Sequence, residues 1–307
     1  MTSPVAMNSP PPAPANALRG VVLMLLAMAV FVLIDATAKY LALSLPVMQI
    51  VWARSAFALL FTLLLLRGRK LSTLMATRRP GLQLMRSGFQ FASTIFFFTA
   101  LKYIPLADAI AIAFAAPLLI TALSVPILGE QVGVRRWLAV VVGFLGVLVV
   151  IRPGIGVMEW AMLLPLCTAF TSALYQINTR SLAQTDDATT TLWYTALTGT
   201  VISSAFMPFV WEWPDAKGWA LMALLGAFGT TGHFLIINAY ARAPAATLAP
   251  FIYTQLVWSI GVGYILFANL PDGYTLFGAA IVSASGIYTA YRERMRRAAA
   301  APVTPRA

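Results

Sequence analysis

Runs of about 20 mostly apolar residues, the length that crosses a lipid bilayer as a helix, follow one another along this chain with little between them. Ten can be marked, over roughly 18–43, 46–66, 81–102, 106–128, 133–151, 157–181, 189–211, 217–240, 245–268 and 274–291. No other feature restricts the fold so tightly. In lipid every backbone N–H and C=O needs a partner within the protein, and an apolar run of this length meets that need as a helix. The connectors are short, as in "RPGIG" (152–156), "WPDAKG" (213–218), "RAPAA" (242–246) and "NLPDG" (269–273). Links of that length make neighbouring helices antiparallel. Pro80, Pro105 and Pro244 stand at or just before helix starts, where a missing N–H costs nothing. The expected fold class is an all-α integral membrane protein with ten transmembrane helices.

Composition removes the main soluble alternative. Of 307 residues, 60% are hydrophobic and 10% charged, against about 25% charged in a soluble domain. The net charge of +11 raises the question of nucleic acid. The basic residues sit in short loops and a tail between apolar blocks, which argues against a nucleic-acid partner. The first block is about 25 residues long, too long for the h-region of a cleavable signal peptide, roughly 7–15. The preceding Pro-rich segment, 1–16, reads as a disordered tail. Cys167 is the single cysteine, so neither an internal disulfide nor a cysteine metal site is expected.

The basic residues also suggest an orientation. With the N-terminus cytoplasmic, the inner segments hold Arg19, Arg67, Arg69, Lys70, Arg78, Arg79, Arg135, Arg136, Arg180 and Arg242. The basic tail, 293–307, adds Arg294, Arg296, Arg297 and Arg306 to Arg292 at the end of the last span. The outer ends hold Lys39, Lys102, Arg152 and Lys217. This bias is the positive-inside pattern for a multi-pass protein of the cell (inner) membrane with both termini cytoplasmic.

Sliding the chain over itself by about 140 residues aligns "TALKYIPLADA" (99–109) with "NAYARAPAATL" (238–248), and Trp52 with Trp193. Each half then holds five spans. Because five is odd, the second half, 153–292, enters the membrane inverted relative to the first, 17–152. Inverted repeats are characteristic of secondary transporters, in which one half rocks against the other around a central site.

Three stretches carry a resemblance to a known family. They are "ALKYIPLADAIAIAFAAPLLITALSVPILGE" (100–130), "GFLGVLVV" (143–150), and Arg54 within the second span. Together they resemble the drug/metabolite transporter superfamily, in its EamA-type branch of ten-helix carriers, over nearly all of 18–291. Ala268-Asn269 stand where the Gly129-Glu130 pair would recur in the second half. The resemblance implies a cavity lined by helices 1, 3, 4, 6, 8 and 9, with helices 5 and 10 peripheral and helix 2 outside. It also implies transport of small metabolites, commonly amino-acid export.

Polar residues inside apolar spans are the candidate site. Asp35 and Lys39 share a helix face. They form either a structural ion pair, with Lys39 snorkelling outward, or a site in which Asp35 meets a substrate ammonium or a proton. The third span aligns Arg86, Gln90, Ser93 and Phe97, and the sixth aligns Thr168, Thr171, Tyr175 and Asn178, each on one face. His233 and Asn238 lie on the eighth span; His233 is either a proton-coupling group or a hydrogen-bonded core residue. Tyr253 and Gln255 follow Pro250 in the ninth. Pro117 and Pro250 are candidate kinks that free a backbone carbonyl. Arg54 reads as structural, and Glu130 as an ion pair with Arg135 and Arg136. The pairs Ala139/Gly143 and Ala279/Ser283 suit close helix packing.

The chain has no G-x-x-x-x-G-K-[ST] motif, so a gradient or exchange is expected to drive transport. No catalytic residue, cofactor or metal is expected. The leading expectation is a secondary carrier exporting small amphipathic metabolites by alternating access, most of all amino acids, including aromatic and apolar ones. The alternative is a carrier of S-adenosylmethionine or another nucleoside-like metabolite, and a different class is a non-transporting membrane scaffold. The expected partners are a small molecule and the lipid bilayer.

Overall fold

The computed structural model describes residues 14–65, 75–130, 132–153, 160–183 and 185–300. These form α1 (Pro14–Leu41), α2 (Val47–Leu65), α3 (Pro80–Tyr103), α4 (Leu106–Ala113), α5 (Ala116–Leu128) and α6 (Val134–Ile151). The second half contributes α7 (Leu163–Leu182), α8 (Ala188–Val210), α9 (Ala216–Tyr240), α10 (Ala245–Ile252), α11 (Thr254–Phe267) and α12 (Gly273–Ala300), with a 3₁₀ turn, Trp160–Met162, leading into α7. The pairs α4–α5 and α10–α11 are each one span broken in the middle, so the described residues make ten spans. Seven are long and apolar enough to cross a membrane by length and composition alone. The other three, α3, α8 and α12, are diluted by Gln, Ser, Thr or terminal charge.

The ends of the chain differ modestly from expectation. Helix α1 begins at Pro14, inside the segment read as a tail, and α12 runs to Ala300, past the expected end of the last span. Residues 1–13, the basic loop with Arg67, Arg69 and Lys70, and the C-terminal segment with Arg306 lie outside the described residues.

The helix pairing has two-fold logic. α1 packs on α9, and its counterpart α7 packs on α3; α1 also packs on α11, and α7 on α5. The pairs α2–α8 and α6–α12 map onto themselves when the halves exchange. This is the architecture of two inverted five-helix repeats, with the start of α1 and the end of α12 on one face. At α6–α12 glycines allow the backbones to touch. A Cβ at Gly278 would lie 2.6 Å from the Gly146 carbonyl oxygen, and one at Gly146 would lie 2.9 Å from that of Gly278. Without a hydrophobic drive between helices in lipid, such small-residue packing is what holds them.

Prolines and caps set the ends of the broken spans. Pro105 and Pro244 are the N-caps of α4 and α10. Pro117 falls in the first turn of α5, where its missing N–H is tolerated. It therefore starts the second half of its span, and the break falls just before it. Pro250 lies within α10, and that span breaks at Tyr253. The C-caps also correspond. Gly129 ends α5 with φ 66°, and Ala268 ends α11 with φ 53°. The left-handed cap survives in the second repeat although its glycine does not.

Candidate functional site

Mid-way through the bundle is a cavity of about 350 Å³. Helix α1 places Phe31 and Asp35 on it, α2 Arg54, α3 Gln90, Ser93, Thr94 and Phe97, and α4 with its break Ala113 and Phe114. Helix α7 adds Thr168, Ser172 and Gln176, α9 adds His233, and α11 adds Gln255. A second cavity of about 380 Å³ adjoins it. Arg54, Gln90 and His233 belong to both walls. Thr62, Thr189 and Ile237 of the second cavity lie near the helix ends on the face that carries the chain termini, so this cavity extends toward that face.

Two opposite charges face the central space. Asp35 accepts one hydrogen bond, from Gln255 Nε2 at 3.3 Å. Arg54 donates from Nη1 to Thr94 Oγ1 at 2.8 Å and lies 5.9 Å from the Phe98 ring centroid. Each charge lies in the other's electrostatic field, yet no ion pair joins them among the described residues. Unpaired charge at this depth is costly. The carboxylate and the guanidinium thus line one cavity wall without pairing to each other.

The remaining polar groups fix the walls. Ser93 and Ser172 hydroxyls bond at 2.7 Å, tying α3 to α7. The His233 ring meets Phe31 edge to face at 5.6 Å. Below the cavity, toward the chain ends, Arg86 is 2% exposed. It donates to Thr179 Oγ1 (2.6 Å), Thr195 Oγ1 (2.6 Å), Tyr175 OH (2.7 Å) and the Thr191 carbonyl (3.3 Å). The Tyr175 ring lies 4.3 Å from its guanidinium. Arg86 thus pins α3, α7 and α8 together, with four of its five N–H donors engaged.

The two faces are closed by different chemistry. On the face away from the termini, Gln49 Nε2 donates to the Glu212 carbonyl at 2.7 Å and Gln49 Oε1 accepts from Glu212 N–H at 3.0 Å. Trp211 stacks there against Trp52, Trp213 and Trp219. On the termini face, Asp186 accepts from the Thr77 hydroxyl, Gln83 Nε2 (2.8 Å) and the Arg78 N–H (3.3 Å). Desolvation alone would raise its pKa, but these bonds and one from Thr185 outweigh it and hold the Asp186 carboxyl below its usual range. Glu130 pairs with Arg180 at 2.7 Å. This ion pair links the two repeats.

Several sequence expectations change in place. Asp35, Gln90, Ser93, Phe97, His233 and Gln255 meet at the central cavity, and Tyr175 lines the adjoining one. Lys39 does not snorkel: it is 9% exposed and donates to the Leu101 and Ile104 carbonyls, at 2.6 and 2.7 Å, at the end of α3. Thr171 bonds to carbonyls of its own helix, Cys167 and Thr168. Asn238 donates to the Phe234 carbonyl and accepts from Arg242. Tyr253 stacks on Phe114. Thr171, Asn178, Asn238, Tyr253, Pro117 and Pro250 are not among the residues lining either cavity. Helix 2, expected outside the cavity, lines both cavities through Arg54. Sequence reading also missed Thr94, Ser172 and Gln176. The face Thr168–Ser172–Gln176 is the i, i+4, i+8 stripe beside the one chosen, and it was legible as an equally polar row.

Ten spans in two inverted halves around a polar mid-depth cavity define a membrane transporter. The sequence model of the EamA-like transporter family matches both halves, over residues 18–152 and 159–291. The chain belongs to the EamA-like transporter family, a branch of the drug/metabolite transporter superfamily. It is similar to an S-adenosylmethionine uptake transporter of Rickettsia bellii, 27% identical over 260 residues, which are 85% of this chain and 89% of that one. A riboflavin transporter of Rhizobium johnstonii is 28% identical over 287 residues, 92% of this chain and 94% of that one. A pseudopaline exporter of Pseudomonas aeruginosa is 24% identical over 270 residues, 86% of this chain and 93% of that one. One crystal structure with 18% identity has a TM-score of 0.63, covers 92% of this chain and 98% of that one, and supports the fold.

Proposed function

We propose that this carrier moves small zwitterionic metabolites with an amino-acid head, and that the head binds between Asp35 and Arg54. The supporting observation is the pair of opposite charges on one cavity wall, each with a single protein hydrogen-bond partner and no ion pair between them. The substrate ammonium is held by Asp35 with Gln255 beside it. Its carboxylate is held by the Arg54 fork, a planar donor suited to two carboxylate oxygens. The tail lies among Phe31, Phe97 and Phe114. Free amino acids and S-adenosylmethionine both carry this head, and an uptake transporter of the latter is among the relatives. The distribution of Arg and Lys supports cytoplasmic chain ends, and in this reading the second cavity faces that side. Relatives include both uptake and export proteins, and flux is taken to follow the imposed gradient by alternating access of the two repeats.

Proteoliposomes loaded with labelled methionine, S-adenosylmethionine or riboflavin provide the test. The two amino-acid-headed probes are expected to exchange across the membrane and riboflavin, which lacks that head, is not. Exchange of riboflavin alone would replace this reading with a flavin carrier.

A further inference from the structure

The two repeats place equivalent residues on the central cavity. Shifting the chain by 141 residues sets "AKYLA" (38–42) over "TRSLA" (179–183), and with them Phe31 over Ser172 and Asp35 over Gln176. Phe31 and Asp35 line the cavity from α1, and Ser172 and Gln176 line it from α7. Asp35 stands six residues before the end of α1, and Gln176 six before the end of α7, about 9 Å of helical rise in each case. Those helix ends lie on opposite faces, so the carboxylate and the amide enter one cavity from opposite depths.

Gln176 differs from the other glutamines of the described spans. Gln49 bonds to the Glu212 backbone, Gln83 to Asp186 and Thr191, Gln90 to Thr94, and Gln255 to Asp35. Gln176 lines the cavity, is exposed, and bonds to no side chain or backbone group among the described residues. On the same helix Thr168 donates to the Leu164 carbonyl and Ser172 bonds to Ser93. Gln176 is therefore the lining residue of α7 whose polar atoms are uncommitted. Its amide offers an acceptor and two N–H donors but no charge.

We infer that Gln176 is a specificity-determining residue: its amide reads an uncharged hydrogen-bonding group at the end of the substrate remote from the amino-acid head. This rests on the head site proposed above. Asp35 and Arg54 balance the two charges of the head. The position equivalent to Asp35 carries an amide rather than a second carboxylate, so it supplies no counter-ion for a second ammonium. A substrate side chain ending in an amide, a hydroxyl or a ring N–H pairs with it; one ending in an alkyl group does not.

The test is equilibrium binding of three labelled amino acids to the full chain in lipid nanodiscs. Norleucine ends in an alkyl group, glutamine in an amide and lysine in an ammonium. Gln176→Met keeps the length of the side chain and removes its amide. It is expected to weaken glutamine by about tenfold and to leave norleucine unchanged. Gln176→Glu supplies the missing carboxylate and is expected to strengthen lysine by about tenfold, again with norleucine unchanged. Glutamine affinity unmoved by Gln176→Met, lysine affinity unmoved by Gln176→Glu, or an equal loss for all three probes in either variant would overturn the role of Gln176. Asp35→Asn serves as the separate control on the head: it is expected to weaken all three. If it weakens none while the Gln176 variants still separate glutamine and lysine from norleucine, the head reading fails and the role of Gln176 stands.

Discussion

Phe114 and Tyr253 meet edge to face, ring centroids 5.0 Å apart. Each stands at the break of a discontinuous span, Phe114 between α4 and α5 and Tyr253 between α10 and α11. They are equivalent positions of the two repeats, since Phe114 follows Pro105 by the same count as Tyr253 follows Pro244. The pseudo-two-fold relation therefore brings the two breaks into contact beside the central cavity, which Phe114 also lines. A break on each side of one aromatic contact is where the halves are expected to pivot if one repeat rocks against the other.

The pivot has a packing signature. Gly286 of α12 lies against Tyr253, and a Cβ there would sit 2.8 Å from the tyrosine Cζ, with the hydroxyl closer still. Gly286→Ala is expected to destabilise the protein by about 1–3 kcal/mol, the usual cost of overpacking. Tyr253→Phe removes the hydroxyl and relieves much of that clash. In the double variant the two effects are expected not to add, as for residues in contact. Thermal unfolding of the four proteins in one detergent checks this; additive shifts would mean the two side chains are not in contact.

Arg54 and Asp35 are separable by probe. Arg54→Gln removes one partner of the substrate carboxylate, an interaction of about 1.5–3 kcal/mol for a charged hydrogen bond. It is expected to weaken methionine binding by about 10–100-fold and to leave the amino alcohol methioninol, which has no carboxylate, unaffected. Asp35→Asn is expected to do the reverse for the analogue of methionine that lacks the amine. Equal losses for every probe in both variants would point to collapse of the cavity rather than to two half-sites.

Ala268 holds the left-handed conformation, φ 53°, that Gly129 holds in the first repeat. For a residue with a Cβ that conformation costs about 1–2 kcal/mol. Ala268→Gly is expected to recover about 1 kcal/mol of it, after the entropy that glycine loses on folding. Transport is expected to be unchanged, because the position lies at the end of α11. The measurement is the unfolding midpoint together with flux of the favoured probe. A lower midpoint would show that the cap is not strained.

The spans were legible because lipid imposes one rule on every stretch of backbone, and the apolar runs obey it almost residue for residue. The broken spans were half legible. Pro117 and Pro250 announced them, but the breaks fall at Phe114 and Tyr253, because a proline is tolerated in a helix's first turn and the chain departs on the near or far side as packing allows. The site was legible where polarity stood out against an apolar face, as at Asp35, Gln90 and His233. It was hidden where the signal was ambiguous. Arg86 and Arg54 look alike in sequence, each a lone guanidinium in an apolar span. Only three-dimensional neighbours separate them, since Thr179, Thr195 and Tyr175 engage Arg86 while Arg54 has Thr94 alone. Lys39 misled for the same reason, as the carbonyls it satisfies belong to another helix.

Asp186 ties the loop before α8 to Thr77, Arg78 and Gln83 at the start of α3. Those bonds hold its carboxyl below the ordinary value of 3.8 against the desolvation that would raise it. A carboxyl whose folded-state pKa is depressed stabilises the folded protein above its unfolded pKa, and that contribution is lost as pH falls through the lower folded value. Asp186→Asn is therefore expected to lower the unfolding midpoint at neutral pH. The gap to the unmodified protein is expected to hold down to about pH 5 and to narrow below the ordinary carboxylate range. Because the latch joins the repeats on the side where the second cavity emerges, the same variant is expected to speed exchange of a bound probe at neutral pH. A midpoint difference that stays constant from pH 7 to acid would show that the carboxylate charge at Asp186 carries none of the latch.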